Sequence, residues 1–280
     1  MPGKSNILPQ PINQNYLLDM IDIFYAIFCG LTGAIVGSFL NVVILRLPRE
    51  GESVVFPASH CPSCKNSISW YDNIPIISFI LLRARCRNCG MKISWQYPLV
   101  ETAMCAISLA LFYRFYFSLT FAIYFIFCGA LLAIIVIDFH HQIIPDSISL
   151  PGIIVGFGVS FFNPVVTWQS SGIGILLGGG ILYAIAASYY FLTKREGMGG
   201  GDIKLLAMIG AFLGWQSLLF VIFCSSILGS LVGIGAMLKQ KKGGKTMLPY
   251  GPFLSIAAII YLFFYQEIHY MFVTFYLPQS

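Results

Sequence analysis

Long apolar stretches, each ended by a short polar or glycine-rich segment, recur along the whole chain. They cover about residues 21 to 45, 99 to 116, 118 to 137, 148 to 163, 173 to 192, 203 to 214, 217 to 238 and 252 to 277. A helix crosses a hydrocarbon core of roughly 30 Å with about 20 apolar residues. The pattern predicts an all-α polytopic membrane protein with about eight transmembrane helices, of which the 203 to 214 helix is the shortest.

Composition agrees with a chain that lies in a lipid bilayer. Of its 280 residues, 58% are hydrophobic and only 10% are charged, whereas soluble domains carry about 25% charged residues. The polar segments suggest a division into an outer tail (1 to 16), a first transmembrane helix (17 to 47), a polar insert (48 to 97) and a transmembrane core (98 to 280).

The basic residues fall on one side of the predicted membrane. Of the 16 Lys and Arg, all except Lys4 and Arg114 lie at or after the ends of the first, fifth and seventh apolar stretches. Loops rich in Lys and Arg stay in the cytoplasm. We therefore predict that the insert and the loops near 140, 195 and 243 are cytoplasmic. This asymmetry accounts for the net charge of +5 and predicts no nucleic-acid partner.

The insert contains two Cys-x-x-Cys motifs, Cys61 with Cys64 and Cys86 with Cys89. Two such turns can complete a tetrahedral sulfur site for zinc, and four sulfurs leave no open position for substrate. We therefore predict a structural zinc. Disulfides or redox chemistry and inert thiols are the alternatives, which a reducing cytoplasm disfavours. His60 adjoins a predicted ligand and is interpreted as a surface residue.

Ionisable residues within apolar spans are rare and mark functional sites, because a charge in lipid is costly. Of the 11 Asp and Glu, only Glu101, Asp138, Asp146 and Asp202 fall at or near the predicted membrane edge without an evident solvated position. Pro145 stops any preceding helix, so Asp146 is predicted to cap the helix that follows.

Asp138 and Asp202 are predicted to form a catalytic pair. Asp138 ends the third apolar stretch, where a solvated helix-end acid is the alternative role; His140 and His141 after it are interpreted as solvated loop residues. Asp202 follows a glycine run, where an N-cap is the alternative. Glycines at this density allow positive φ and close backbone approach, so an active-site loop is predicted, comprising Gly199, Gly200, Gly201 and Lys204.

Both carboxylates are predicted at the cytoplasmic ends of their helices and can meet in one pocket. Two apposed carboxylates share a proton, so that one polarises a carbonyl while the other activates water. The sequence contains no GxSxG or HExxH motif that would indicate other hydrolytic chemistry. An ion-coupled membrane transporter and a noncatalytic zinc-ribbon scaffold remain alternative functions, although the scaffold would leave Asp138 and the glycine run unexplained.

Four blocks of the sequence resemble the bacterial prepilin leader peptidases of type IV pilus and type II secretion systems. They are Gly37 to Ile44 with Arg46-Leu47-Pro48, the paired Cys-x-x-Cys motifs, Asp138 with Ile144-Pro145-Asp146, and Gly199-Gly200-Gly201-Asp202 with Lys204-Leu205. The blocks stand in the order of that family, and the spacing of Asp138 and Asp202 agrees with its pattern.

The resemblance implies a GxGD-type membrane aspartyl endopeptidase in the bacterial inner membrane, with its active site facing the cytoplasm. It implies cleavage of the leader peptides of prepilins and pseudopilins, followed by N-methylation of the new N-terminus from S-adenosylmethionine. The cysteine-bearing insert favours this bifunctional form. Glu101, Asn41 and Arg46 are candidates for lining a cofactor or substrate groove, with helix-end solvation and interface anchoring as the alternative.

Overall fold

A computed structural model describes residues 14–49, 51–56, 59–194, 199–240 and 249–276. The helices are α1 (Gln14–Arg46), α2 (Ile77–Leu81), α3 (Gln96–Phe115), α4 (Leu119–His141), α5 (Asp146–Val159), α6 (Trp168–Thr193), α7 (Gly200–Leu213), α8 (Gln216–Gln240) and α9 (Gly251–Tyr276). Within these ranges there is no β-strand, only two isolated β-bridges in the insert. The predicted all-α fold is confirmed. Most of the predicted outer tail lies outside the described residues.

Each of the eight predicted apolar stretches forms a helix, but only six of these helices are long and apolar enough to cross a membrane. The exceptions are α5 and α7, which have 14 residues each. At 1.5 Å per residue they span about 21 Å, less than the roughly 30 Å of a hydrocarbon core. Helix α7 stops early because Gly214, with φ of 78°, leaves the helical region of backbone space.

Helix α7 lies at the centre of the bundle. All residues from Leu205 to Leu213 are buried, and α5, α6, α8 and α9 pack around it. A helix that is apolar on all sides is expected in such a position. Helix α6 approaches closely through glycine, since a Cβ on Gly178 would lie 2.6 Å from the carbonyl oxygen of Leu206. Small residues commonly permit this backbone approach between membrane helices.

Helices α1 and α3 form a second packed unit. A Cβ on Gly33 would lie 2.7 Å from the carbonyl oxygen of Met104, and one on Gly37 would lie 2.7 Å from the Cα of Glu101. The hydroxyl of Ser108 also donates to the carbonyl oxygen of Cys29 at 2.8 Å. These contacts fix the register of α1 against α3, and the insert connects the two helices at one end.

Stacked rings set the register between α4 and α7. The centroids of Phe127 and Phe212 lie 4.5 Å apart. Along α4, Asp138 lies about 16 Å after Phe127 at 1.5 Å per residue. Along α7, Asp202 lies about 15 Å before Phe212. Because α4 and α7 run in opposite directions, both acids fall at the same end of the bundle.

We call this end the basic end. It comprises the C-terminal ends of α1, α4, α6 and α8 and the N-terminal ends of α3, α5, α7 and α9. The insert lies here as well. Of the Lys and Arg whose side chains the structure describes, Arg114 alone lies at the opposite end of the bundle.

Candidate active site and metal centre

Asp138 lies in the last turn of α4, and only 5% of its surface is exposed. Its Oδ2 accepts a hydrogen bond from the backbone N–H of Gly251, the first residue of α9, at 3.0 Å. Helix α4 continues past the predicted end, so His140 and His141 are exposed residues of its last turn. The prediction that they lie in a loop is wrong, because the helix ends only at Gln142, whose backbone is left-handed. The N–H of Gln142 donates a hydrogen bond to the carbonyl oxygen of Asp138.

Asp202 lies in the first turn of α7 and is half-buried. Its backbone N–H donates to the carbonyl oxygen of Gly199, the N-cap residue, at 3.2 Å. The carboxylate lies close enough to Asp138 for the charge of Asp138 to act on it. The predicted positive φ is not found at Gly199, whose φ is −70°, and Gly200 and Gly201 already belong to the helix.

The loop residue Ile144 connects the three helix ends. A Cβ on Gly251 would lie 2.6 Å from Oδ2 of Asp138 and 3.0 Å from Cδ1 of Ile144, and a Cβ on Gly201 would lie 2.9 Å from Cβ of Ile144. By contrast, a Cβ on Gly200 would meet nothing within 4 Å. The close packing therefore depends on Gly201 and Gly251, and not on the whole glycine run.

Asp146 has a different role from the predicted N-cap. The N-cap of α5 is Pro145, and Asp146 is the first helical residue. Its two carboxylate oxygens lie 2.7 and 2.8 Å from Nζ of Lys204. Since proline occupies the capping position, the carboxylate of Asp146 is left to form an ion pair with α7. The pair joins the N-terminal ends of α5 and α7 at the surface of the site.

Sequence reasoning missed Gly251, and it quoted Ile144 within a motif without giving it a role. Gly251 contributes a backbone group rather than a side chain, and it lies 113 positions from Asp138 in the sequence. The one available signal was local, because Pro249 and Pro252 flank Gly251 and prolines cluster at the first turn of helices. That signal predicts the start of α9 but not the residue that this start contacts.

The four cysteines of the insert converge. The sulfur atoms of Cys61, Cys64, Cys86 and Cys89 all lie within 4.8 Å of one another, and none of them forms a disulfide. The sulfurs of Cys61 and Cys89 are 3.8 Å apart. His60 is exposed and does not belong to this group of potential metal ligands. Four thiols at this separation fit a tetrahedral metal ion.

Both Cys-x-x-Cys turns have the same backbone hydrogen bonds. In the first, the N–H of Cys61 donates to Asn66 and the N–H of Lys65 donates to Cys61; in the second, Cys86 donates to Met91 and Gly90 donates to Cys86. Lys65 and Gly90 occupy equivalent positions, with φ of 60° and 71°. Each turn is therefore a local structure that presents its two sulfurs on one side.

The electrostatics of the insert favour a thiolate at Cys61. The backbone N–H groups of Cys64 and Ser63 point at its sulfur and lower its pKa to about 6. The thiolate is the form that binds metals, so Cys61 is the most favourable of the four ligands, whereas burial and the other cysteines raise the pKa of Cys64 to about 11. Beside it, Arg87 lowers the pKa of Asp72 through hydrogen bonds as short as 2.6 Å, which ties the second turn to the segment before α2.

Of the three predicted groove residues, one is part of the wall of a cavity between α1 and the insert, and the other two are not. Arg46 lines this cavity, whose volume is about 430 Å³. Glu101 and Asn41 are buried, with 6% and 1% of their surfaces exposed. Asn41 donates to the carbonyl oxygen of Tyr97 at 3.1 Å, which joins α1 to the first turn of α3.

Two family models match the chain. The model described as "Bacterial Peptidase A24 N-terminal domain" matches residues 31–115, and "Type IV leader peptidase family" matches residues 125–234. The first range covers the C-terminal half of α1, the insert and α3. The second begins within α4 and includes Asp138 and Asp202.

Several curated proteins are similar over most of their length, and each bears the name "Prepilin leader peptidase/N-methyltransferase". The protein from Pseudomonas putida is 34% identical over 90% of this chain and 95% of the relative. Those from Stutzerimonas stutzeri and Aeromonas hydrophila are 36% and 35% identical, over 86% and 83% of this chain and 92% and 88% of the relatives. No solved structure matches the chain.

Proposed function

The chain belongs to the type IV leader peptidase family, and from that premise we propose that it cleaves the leader peptides of type IV prepilins and pseudopilins and then methylates the new N-terminus. We assign the cleavage to Asp138 and Asp202. The observation that carries this assignment is the meeting of the two carboxylates at one end of the bundle, beside the start of α9. The names of the relatives give no support to a transporter or a scaffold.

The two carboxylates have different surroundings, and this assigns their roles. The backbone N–H of Gly251 donates to Asp138, and a hydrogen bond to a carboxylate favours its ionised form. Asp138 is then the base that takes a proton from water, and Asp202 holds the proton shared by the pair. In the hydrolysis, Asp202 gives its proton to the oxygen of the scissile carbonyl while water attacks the carbon.

Proton balance is restored when the peptide bond breaks. The proton that Asp138 took from water passes to the leaving amine, and Asp202 regains its proton from the tetrahedral hydroxyl. Each carboxylate thus ends the cycle as it began. No metal ion or covalent intermediate on the protein takes part in this cleavage.

Methyl transfer is the second half of the proposed function. S-adenosylmethionine supplies an electrophilic methyl group: the amine nitrogen forms the new N–C bond, the C–S electron pair stays on sulfur, and the amine proton is lost to water. The assignment follows the N-methyltransferase activity named in the relatives. It is also supported by the insert, which lies within the range matched by the N-terminal domain model.

We assign a structural zinc to the four cysteines. Sulfur ligands at mutual distances within 4.8 Å suit zinc in a closed four-coordinate site. The ion has no step in either reaction. Its role is to hold the two turns together, because the insert has few apolar residues buried against one another.

We further propose that the protein is a multi-pass protein of the bacterial inner membrane whose basic end faces the cytoplasm. The supporting observation is the charge distribution, since basic loops remain cytoplasmic. A pair of cysteine variants tests it in intact cells against the unmodified chain as background. Phe162→Cys at the opposite end should react with an impermeant thiol reagent, and His141→Cys at the basic end should not. The reverse pattern would refute the orientation.

One assay tests both activities. The purified full-length chain is incubated with a prepilin-like peptide and with S-adenosylmethionine labelled in its methyl group. We expect the leader to be released and the label to appear only on the shortened product. Absence of leader release would refute the peptidase assignment. Leader release without labelled product would refute the methyl transfer alone.

A further inference from the structure

The short helix α2 of the insert presents an apolar face to the outside of the protein. Ile77, Ile80 and Leu81 are 51%, 67% and 75% exposed, and their spacing of three and four residues places them on one side of the helix. We call these three residues the α2 face. The opposite side is fixed to the insert, because the hydroxyl of Ser78 donates to the carbonyl oxygen of Tyr71 at 2.8 Å. Large aliphatic side chains exposed side by side indicate an interaction surface.

Two contacts place α2 at the level where α3 enters the membrane. The ring of Phe79 lies edge-on to that of Trp95, the N-cap residue of α3, with the centroids 5.0 Å apart. The backbone N–H of Ile76 donates to Oε2 of Glu101 at 2.7 Å, and Glu101 lies in the second turn of α3, a helix long and apolar enough to cross a membrane. Glu101 is about 7.5 Å along α3 from Gln96 at 1.5 Å per residue. The start of α2 therefore lies deeper than the end of α3, at the boundary between lipid headgroups and acyl chains.

Three cations without an acidic partner follow the α2 face. Arg83 and Arg85 come directly after α2, and Arg85 forms an isolated antiparallel bridge with Lys92. All three residues are exposed. Among the described residues, no acid lies within ion-pair distance of any of them, whereas the neighbouring Arg87 is paired with Asp72. Free cations beside an apolar helix face are the combination that binds an anionic lipid surface.

We propose that the α2 face lies in the headgroup region of the leaflet at the basic end, where Arg83, Arg85 and Lys92 bind anionic lipid headgroups. The insert is continuous with the membrane helices α1 and α3, so the bilayer is the nearest apolar surface. Trp95 fits the same place, since it is 69% exposed and tryptophan is enriched at membrane–water interfaces. The depth of α2, which its contacts with α3 fix, favours the lipid surface over a soluble protein partner.

Quenching by spin-labelled lipid tests where the α2 face lies. The full-length chain with Leu81→Cys carries a fluorophore and is placed in vesicles of phosphatidylcholine and phosphatidylglycerol, some of which bear a spin label near the top of the acyl chain. The unmodified chain, treated in the same way, gives the background. Ser67→Cys, at an exposed position of the insert, is the matched control. We expect lipid to quench the Leu81 label and aqueous iodide to leave it unchanged, whereas the Ser67 label should be quenched by iodide.

The charge of the lipid tests the basic residues separately. The same spin label is attached either to anionic phosphatidylglycerol or to phosphatidylcholine, at equal mole fraction. Because each Lys or Arg near an anionic surface attracts such lipids, labelled phosphatidylglycerol should quench the Leu81 label at least about threefold more strongly. Arg83→Gln, Arg85→Gln and Lys92→Gln together should make the two lipids equal. The control, Arg83→Lys with Arg85→Lys, keeps the charge and should keep the preference. The metal content of each variant, compared with that of the unmodified chain, checks that the insert has folded.

The results decide between lipid, water and protein as the surroundings of the α2 face. Quenching of the Leu81 label by lipid, with a preference for phosphatidylglycerol that the glutamine variant loses, supports the proposal. Quenching by iodide alone would place the face in water, and protection from both quenchers would show that protein covers it; either result would overturn the proposal. Equal quenching by the two lipids before any charge is removed would overturn the headgroup role of the cations. None of these measurements depends on cleavage or methyl transfer, so the result is independent of the proposed function.

Discussion

The helix-end site and the cysteine site are held together in different ways. Asp138, Asp202 and Gly251 belong to three helices, and they meet only because α4, α7 and α9 pack in one register. The four cysteines lie on two similar turns that each fold within a few residues. The comparison teaches that the first site depends on long-range packing and is sensitive to small changes of volume, whereas the second depends on local turns and on the metal that we propose for it.

The largest effect is expected at the dyad. Asp138→Asn or Asp202→Asn should lower cleavage at least about 1,000-fold, because each removes a group that must give or take a proton. Asparagine keeps the shape of the side chain, so the helices should still pack. The single-turnover rate of leader release from a prepilin-like peptide measures the effect.

The double variant sharpens this prediction. Residues that act as one unit are strongly non-additive, so Asp138→Asn with Asp202→Asn should be little worse than either single change. If the two losses multiplied, the carboxylates would act independently and the shared-proton mechanism would be wrong.

The glycines at the helix ends give the next largest effect. Gly251→Ala places a methyl group 2.6 Å from Asp138, and a displacement of about 1 Å at a catalytic group can cost about 100-fold in rate. Gly201→Ala forces a similar shift against Ile144. The matched control is Gly200→Ala, which has open space around its Cβ and should cleave normally. Equal losses at Gly200 and Gly201 would contradict the packing argument.

These glycines show how much of the helix-end site could be predicted from the sequence. The positions at which the apolar stretches begin and end placed Asp138 and Asp202 at the same membrane edge. This was possible because the number of residues in a helix sets the distance that the helix spans. Sequence spacing could not distinguish Gly201 from Gly200, since the distinction comes from Ile144 on another segment. The role of Gly251 was beyond prediction for the same reason.

Removal of the metal tests the cysteine site. Chelation of the purified chain, which we expect to hold one zinc, should abolish methyl transfer, because the ion joins the two turns of the insert on which the proposed methyl transfer depends. Cleavage should stay within about threefold, as expected for sites without shared contacts. Metal analysis and both assays on the same sample measure this. A parallel loss of cleavage would show that the insert supports the helix-end site.

The smallest effect is expected at the ion pair between Asp146 and Lys204. Both side chains are substantially exposed, by 57% and 37%, and exposed pairs contribute about 0 to 1 kcal/mol. Asp146→Asn should therefore slow cleavage by no more than about fivefold. If Asp146→Asn abolished cleavage while Asp138→Asn did not, Asp146 would be the partner of Asp202.

The insert was the more predictable region. Cys-x-x-Cys spacing describes a turn, and a turn forms from neighbouring residues, so the convergence of four sulfurs followed directly from the sequence. The role of Asp146 did not, because Pro145 and Asp146 are both compatible with a helix start. Asp146 instead forms an ion pair with Lys204, and this partner lies 58 positions away in the sequence.

The most direct test of the assignment of cleavage alone to the two carboxylates uses the chain with both Asp138→Asn and Asp202→Asn. It is supplied with a peptide from which the leader has already been removed, together with labelled S-adenosylmethionine, and the rate of methyl incorporation is compared with that of the unmodified chain. The account predicts equal methylation rates and no cleavage of uncut prepilin. Loss of methylation in this variant would contradict it, because the carboxylates would then serve both reactions at one site.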